Sequence, residues 1–182
     1  MKLSIARINY PVTTLGPGNR VGIWTTGCNR NCPGCISPEL QPFDERRQLS
    51  SYEIVEIIKS IPGVIDGFTI SGGEPLLQPT ALKELLQELI KISDDIILFT
   101  GFTYDELQKK GDPDVDSVLT MCSVLIDGPY LQGQHTETGL RGSANQSIRV
   151  FRHNEKYKDL DTCERSLQVI IRDGKVITIG IP

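Results

Sequence analysis

Apolar residues recur along this chain at two periods, and the switching between them predicts its elements. Val21-Gly22-Ile23-Trp24-Thr25-Thr26 follows the turn signal Gly16-Pro17-Gly18-Asn19 and reads as a strand running straight into a cysteine-bearing loop. Ser50 and Glu53 have the spacing of a capping box ahead of Ile54, Val55, Ile57, Ile58 and Ile61, a helix stopped by Pro62-Gly63. Phe68-Thr69-Ile70-Ser71 is a short buried strand ending in Gly72-Gly73-Glu74-Pro75. Leu82, Leu85, Leu86, Leu89 and Ile90 lie three and four positions apart, on one face of a helix. Ile96-Ile97-Leu98-Phe99 is the next strand, closed by Thr100-Gly101. Thr103 and Glu106 cap a short helix, and Ser123-Val124-Leu125-Ile126 is a fourth strand ending at Asp127-Gly128.

Strand and helix alternate through this stretch, which predicts an α/β fold with a parallel sheet and crossover helices. In such folds the chemistry collects in the loops that leave the strands' C-terminal ends. The loop from Cys28 to Cys35, the turn Gly72-Gly73-Glu74, Thr100-Gly101 and Asp127-Gly128 all stand at such exits, so one rim is the candidate site. After Gly128 the rhythm changes. A polar loop through Gln146 leads to Ser147–Arg152, then to a charged segment, then to Leu167–Ile171 and Val176–Ile181 on either side of Asp173-Gly174, a hairpin signal.

Composition narrows the function classes. With 182 residues and 38% hydrophobic content the chain is long enough for one domain with a substantial core. Its 19 Lys and Arg against 23 Asp and Glu leave a net charge of −4, which argues against a nucleic-acid cradle. No apolar run approaches the roughly 18 residues of a membrane span, and the opening Met1-Lys2-Leu3-Ser4-Ile5-Ala6-Arg7 lacks a secretory apolar stretch. A soluble, cytoplasmic protein without membrane or nucleic-acid partners is expected.

The five cysteines, Cys28, Cys32, Cys35, Cys122 and Cys163, are an odd number without a secretory signal, so clustered thiols point to metal binding or reactivity rather than to disulfides. Three fall within Cys28-Asn-Arg-Asn-Cys32-Pro-Gly-Cys35, where Pro33 and Gly34 permit a tight turn. Three thiolates can converge on one inorganic centre. A structural zinc would need a fourth ligand, and Cys122, Cys163, His135 and His153 have no local ligand spacing. An iron–sulfur cluster held by three cysteines would leave one iron open to an exchangeable ligand. Unliganded thiols are the third reading.

The spacing Cys28-x3-Cys32-x2-Cys35 resembles the cluster motif of the radical S-adenosylmethionine (SAM) enzymes, and Ser71-Gly72-Gly73-Glu74-Pro75 is similar to that family's second motif. Smaller pieces are similar to the activating proteins of anaerobic (class III) ribonucleotide reductase. These are Gly16-Pro17-Gly18-Asn19-Arg20, Thr26-Gly27-Cys28, Pro33-Gly34-Cys35, Thr100-Gly101-Phe102, Asp105-Glu106-Leu107, Leu125-Ile126-Asp127-Gly128 and Arg141-Gly142-Ser143-Ala144-Asn145-Gln146. Many members of the wider family have an aromatic residue where this chain has Gly34, and the segment after Ser147 is longer than a minimal activator needs.

The resemblance implies a partial, open parallel β/α barrel over residues 1–150 and an extension with a β-hairpin over 151–182. It implies a [4Fe–4S] cluster on Cys28, Cys32 and Cys35, with SAM chelating the fourth iron. Gly72, Gly73, Glu74, Thr100 and Gly101 would contact SAM, and Asp127 would be a ligand for a monovalent cation beside it. The activity implied is reductive cleavage of SAM to a 5′-deoxyadenosyl radical, which takes a Cα hydrogen from a glycine of a large glycyl-radical enzyme, anaerobic ribonucleotide reductase in the first instance. A donor such as flavodoxin would supply the electron, and no acid–base residue is needed. Two alternatives stand beside this. One is a radical SAM enzyme acting on a small molecule, like 7-carboxy-7-deazaguanine synthase, or on another glycyl-radical enzyme; the other is a zinc-stabilised interaction module.

Each motif also has a plainer reading. Glycine pairs after strands often only make turns. A carboxylate ending a buried strand, as Asp127 does, is often satisfied by backbone N–H groups or an arginine. Arg20 suits a salt bridge and Trp24 the core. Arg141–Gln146 suits a surface loop. Cys122 suits the part of a small hydrophobe, and Cys163 that of an inert surface thiol.

Overall fold

Connection lengths decide how the strands pair. The computed structural model describes residues 1–152, 154–172 and 174–182. Strand β1 (Lys2–Val12) and β2 (Arg20–Thr25) are joined by a loop too short for a crossover, and they pair antiparallel. Short β3 (Gln48–Ser50) pairs antiparallel with the other edge of β1. From there helices intervene: α1 (Ser51–Lys59) leads to β4 (Gly67–Gly72), α2 (Pro79–Leu89) to β5 (Ile96–Thr100), and α3 (Tyr104–Lys110) with α4 (Pro113–Met121) to β6 (Val124–Asp127). Strands β2, β4, β5 and β6 therefore run parallel and adjacent. After the long loop β7 (Ser147–Val150) returns antiparallel to β6. The sheet has seven strands in the order β3-β1-β2-β4-β5-β6-β7 and is not closed.

The expected α/β architecture is present, with a correction to its sheet: the four central strands are parallel, but both flanks are antiparallel. Three elements had no counterpart in the sequence reading: β1, the short β3 and α4. Arg7, Asn9 and Pro11 interrupt the alternation of β1, yet Leu3 and Ile5 reach the core. Helix α4 starts where the Asp112 carboxylate accepts the Asp114 N–H at 2.9 Å and Pro113 takes the first turn, and it buries Val115, Val118 and Leu119.

Both predicted capping boxes form, Ser50 with Glu53 on α1 and Thr103 with Glu106 on α3. The predicted leucine stripe packs as expected: Leu82, Leu85, Leu86 and Leu89 are completely buried, each burial contributing about 1.5–3 kcal/mol. Ile90, assigned to that stripe by spacing, and Ile57 of α1 are instead exposed, at 37% and 43%. All four helices contribute to one core on one side of the sheet.

The other side is covered differently. Tyr157 and Leu160 pack against Ile97, Val124 and Ile126. The predicted hairpin forms from β8 (Gln168–Arg172) and β9 (Lys175–Ile179), and Ile170, Ile177 and Ile179 pack over Val12, Leu15 and Trp24. Of its predicted turn, Asp173 lies outside the described residues, as does His153. At the far end of the sheet Arg20, fully buried, is fixed by Asp95: Nη1 and Nη2 donate to the two carboxylate oxygens at 2.9 and 3.0 Å. Lys156 and the Tyr157 hydroxyl close on the same carboxylate at 2.7 and 2.6 Å, which ties the C-terminal segment to the sheet.

Candidate functional site

The exit of β2 is pinned at both sides of the cysteine loop. Gly27 N–H donates to the Leu40 carbonyl at 2.8 Å and Cys28 N–H to that of Gln41 at 2.7 Å. Gly27 has φ +92°, and a Cβ there would lie 2.5 Å from the Phe43 ring, so the position demands glycine. Inside the loop Cys35 N–H donates to the Cys32 carbonyl at 3.1 Å, closing a tight turn with Gly34 at φ +72°. Arg30 N–H donates to Cys28 Sγ at 3.4 Å. Burial pushes the Cys28 thiol above its ordinary pKa, opposed by that bond. All three thiols are partly exposed and line a single cavity of about 620 Å³.

Among the described residues, no three His, Cys, Asp or Glu side chains gather around a point that one metal ion would occupy. Three soft sulfur donors on one loop lining the same cavity fit an iron–sulfur cluster, which carries each thiolate on a separate iron. Cys122 is fully buried, its thiol pushed up to about 12 by burial. Cys163 borders a second, smaller cavity instead.

The second motif packs directly beneath this loop. Gly73 N–H donates to the Thr25 carbonyl at 2.9 Å and Glu74 N–H to that of Gly27 at 2.7 Å. The two exits approach so closely that a Cβ on Gly72 would lie 2.3 Å from Thr25 N, and one on Gly73 would lie 2.4 Å from Gly27 O. Glu74 is 1% exposed. One of its oxygens accepts the Leu76 N–H at 3.0 Å and the Thr100 hydroxyl at 2.8 Å; the other accepts the Gly101 N–H at 2.6 Å. Burial raises its pKa, against these three bonds and the charge of Arg30. The side chain thus spends its acceptors on the loop backbones that border the cavity.

Gly72, Gly73, Glu74, Thr100 and Gly101 line the same cavity as the cysteines. Asp127 does not contribute to the lining. It is buried, and its two oxygens accept from Tyr104 N–H and Arg149 Nε, each at 2.8 Å. The loop 141–146 folds back onto the β6 exit: Gln146 accepts from Gly142 N–H at 2.8 Å and donates to the Gly128 carbonyl at 2.9 Å, while Asn145 donates to the Pro129 carbonyl at 2.7 Å. Trp24 is core on one side and cavity wall on the other, with the Arg7 guanidinium 4.7 Å above its ring.

Sequence spacing did not find Arg7, Arg30, Tyr130 or His135, all of which line the cavity. His135 Nδ1 and the Tyr130 hydroxyl are 3.3 Å apart. These residues come from separate loops and strands, and no local pattern links them to the cysteines. The hairpin too was expected only as an extension, yet it forms part of the cavity wall.

Comparison with known proteins supplies the remaining context. The family described as "4Fe-4S single cluster domain" matches residues 14–149. An anaerobic ribonucleoside-triphosphate reductase-activating protein of Vibrio cholerae is 33% identical over 153 residues, covering 78% of this chain and 95% of that protein. The protein of the same description from Escherichia coli (strain K12) is 30% identical over 156 residues, covering 79% and 96%. A shorter match to a 7-carboxy-7-deazaguanine synthase of Methanothermobacter thermautotrophicus is 41% identical over 63 residues, covering 34% of this chain and 26% of that protein. The activating proteins are matched over nearly their whole length, while more than a fifth of this chain has no counterpart in them.

Proposed function

Because the chain belongs to the 4Fe-4S single cluster domain family and to that of the anaerobic ribonucleoside-triphosphate reductase-activating proteins, we propose that it is a radical SAM activating enzyme that generates a glycyl radical on anaerobic ribonucleotide reductase. The observation that carries this reading is the shared cavity, into which the cysteine turn and the two glycine-bearing exits open together. Cys28, Cys32 and Cys35 would hold a [4Fe–4S] cluster and the glycine-bearing exits SAM beside it; once reduced by an external donor, the pair would supply the one-electron chemistry that splits SAM into methionine and a 5′-deoxyadenosyl radical, which would take a Cα hydrogen from the partner's glycine.

The chain's own contribution is ligation, placement and shielding. Cys28, Cys32 and Cys35 hold the cluster on a turn fixed by the bonds of Gly27 and Cys28 to Leu40 and Gln41. Gly72 and Gly73 let the β4 exit pack against the backbone of Thr25 and Gly27, which brings the two exits to one cavity. Glu74 keeps its own turn, through Leu76, in register with Thr100 and Gly101, so that SAM meets preset loops. Trp24 and the hairpin exclude water from the reacting atoms. A monovalent cation at Asp127 would have to displace the Arg149 guanidinium from its carboxylate. In this reading residues 1–150 are the catalytic core, a partial β/α barrel of the radical SAM type, and 151–182 an extension over it. The work is done in the cytoplasm with a low-potential donor such as flavodoxin.

The test is anaerobic reconstitution with iron and sulfide, reduction, and EPR with and without SAM. A reduced-cluster signal that changes on adding SAM, followed by a glycyl-radical signal when the reductase is added, is expected. A SAM-responsive cluster that leaves the reductase unchanged would move the substrate to a small molecule. Zinc without iron or sulfide would overturn the reading.

A further inference from the structure

Residues 176–182 line the cavity without a break. Side chains along a strand alternate between its faces, so an unbroken run puts the backbone of β9 as well as its side chains against the cavity, as a strand edge does. That edge is open. Strands β8 and β9 form a two-stranded sheet; among the described residues no backbone–backbone hydrogen bond joins β9 to anything but β8, and the Thr14 hydroxyl donates to the Ile179 carbonyl at 3.2 Å at the far end of the strand. Arg172 and Lys175 pair across a two-residue connection, the usual place of a hydrogen-bonded pair. Alternation from there pairs Ile170 with Ile177 and Gln168 with Ile179 by hydrogen bonds, and turns the N–H and C=O groups of Val176 and Thr178 outwards.

Natural proteins usually blunt an open edge with charge, proline or a bulge. β9 has a charge only at its start, Lys175; Val176, Ile177, Thr178 and Ile179 after it carry none of these devices and are β-branched and regular. An unblunted edge facing a cavity is suited to receiving a strand. It also lies beyond residue 149, where the family match ends, so it is an addition to the shared core.

We propose that the edge of β9 is a docking site for an extended peptide, the glycine-bearing segment of the protein substrate, which adds to β9 as a third strand inside the cavity. The proposal rests on the activating-enzyme reading above and gives it a means of substrate recognition. A target glycine has no side chain to grip, and strand addition recognises main-chain groups whatever the side chains are. The peptide so held shares the cavity with Cys28, Cys32 and Cys35.

The experiment uses the full reconstituted chain and the intact, radical-free anaerobic ribonucleotide reductase of the same organism. Backbone amide exchange is followed at single-residue resolution with and without the reductase. The amides of Val176 and Thr178 are expected to slow by about tenfold or more, the outward amides of β8 at Val169 and Ile171 not at all. Thr178→Pro, which removes one outward N–H, should weaken reductase binding by about tenfold, while Thr178→Val, which keeps it, should bind as the unaltered chain does. Equal slowing on both strands, or none on β9, would overturn the proposal, as would equal binding by the proline and valine variants. If the proline variant does not fold, exchange on the unaltered chain decides alone. A glycyl radical formed without protection of β9 overturns only the docking strand; no glycyl radical at all overturns the reading beneath it.

Discussion

The Glu74 carboxylate accepts the Gly101 N–H at 2.6 Å, and that bond ties the exit of β4 to the exit of β5 across 27 residues of chain. With its other oxygen on Leu76 and Thr100, one buried side chain sets the relative positions of two loops that border the cavity.

Glu74→Gln should therefore destabilise the fold by about 1–3 kcal/mol, because the amide nitrogen must face an N–H donor and leaves a buried group unpaired. A lowered urea midpoint at unchanged slope is the expected result. Stability equal to that of the unaltered chain would mean that Glu74 does not act as this tie.

The glycines of the rim should differ in their tolerance of a methyl group. A Cβ on Gly73 would meet the Gly27 carbonyl oxygen at 2.4 Å, a backbone atom that cannot turn aside. On Gly101 it would meet the Arg30 side chain at 3.1 Å and a Glu74 oxygen at 3.3 Å, contacts that can give by a few tenths of an ångström. Gly73→Ala is expected to cost about 2 kcal/mol or more and Gly101→Ala about 1 kcal/mol or less. Parallel urea titrations give the order, and a reversed order would contradict the packing described.

Replacing Cys28, Cys32 or Cys35 singly by serine should reduce bound iron and sulfide to background after anaerobic reconstitution. Cys163→Ser, outside the cavity, should retain the full complement. Iron and acid-labile sulfide per chain are the measurements. Normal cluster content in any of the first three variants would remove that cysteine from the ligand set.

Acid should loosen the end of the molecule opposite the site. Burial alone would raise the Asp95 pKa, but Arg20, Lys156 and Tyr157 outweigh it and hold the carboxyl below the usual carboxylate range. A depressed folded-state pKa gives stability that is complete above the unfolded value, near 4, and is lost as pH falls through the folded one. The denaturation midpoint should fall below about pH 4 more steeply in the unaltered chain than in Asp95→Asn, which is less stable at neutral pH and flatter in acid. Parallel acid curves would show that Asp95 carries no such linkage.

What the sequence alone determined is what short-range rules control. Capping boxes, leucine spacing and alternating strands depend on residues within one or two turns of each other, and α1, α2, β4, β5 and β9 form where those rules put them. The cysteine turn and the glycine motif were legible from their local spacing, while the close approach of Gly72 and Gly73 to Thr25 and Gly27 belongs to the folded sheet. Helix α4 also had its local signal, Asp112 before Pro113, and could have been found from it.

Tertiary structure decided the rest. Arg20 and Asp95 are 75 residues apart, and nothing in their spacing says that a fully buried guanidinium would find its charge partner there. Strand β1 is held by pairing on both edges, which overrides the polar residues that spoil its pattern. Glu74, a possible ligand contact by sequence, is engaged by three donors that only the folded sheet brings together. The hairpin was predictable as a hairpin, but its place over the cavity was not, because packing of Ile170, Ile177 and Ile179 on Trp24 and Leu15 is set by shape and burial across the whole chain. Local preference chooses the elements; the need to bury apolar surface and pair every buried charge chooses where they meet.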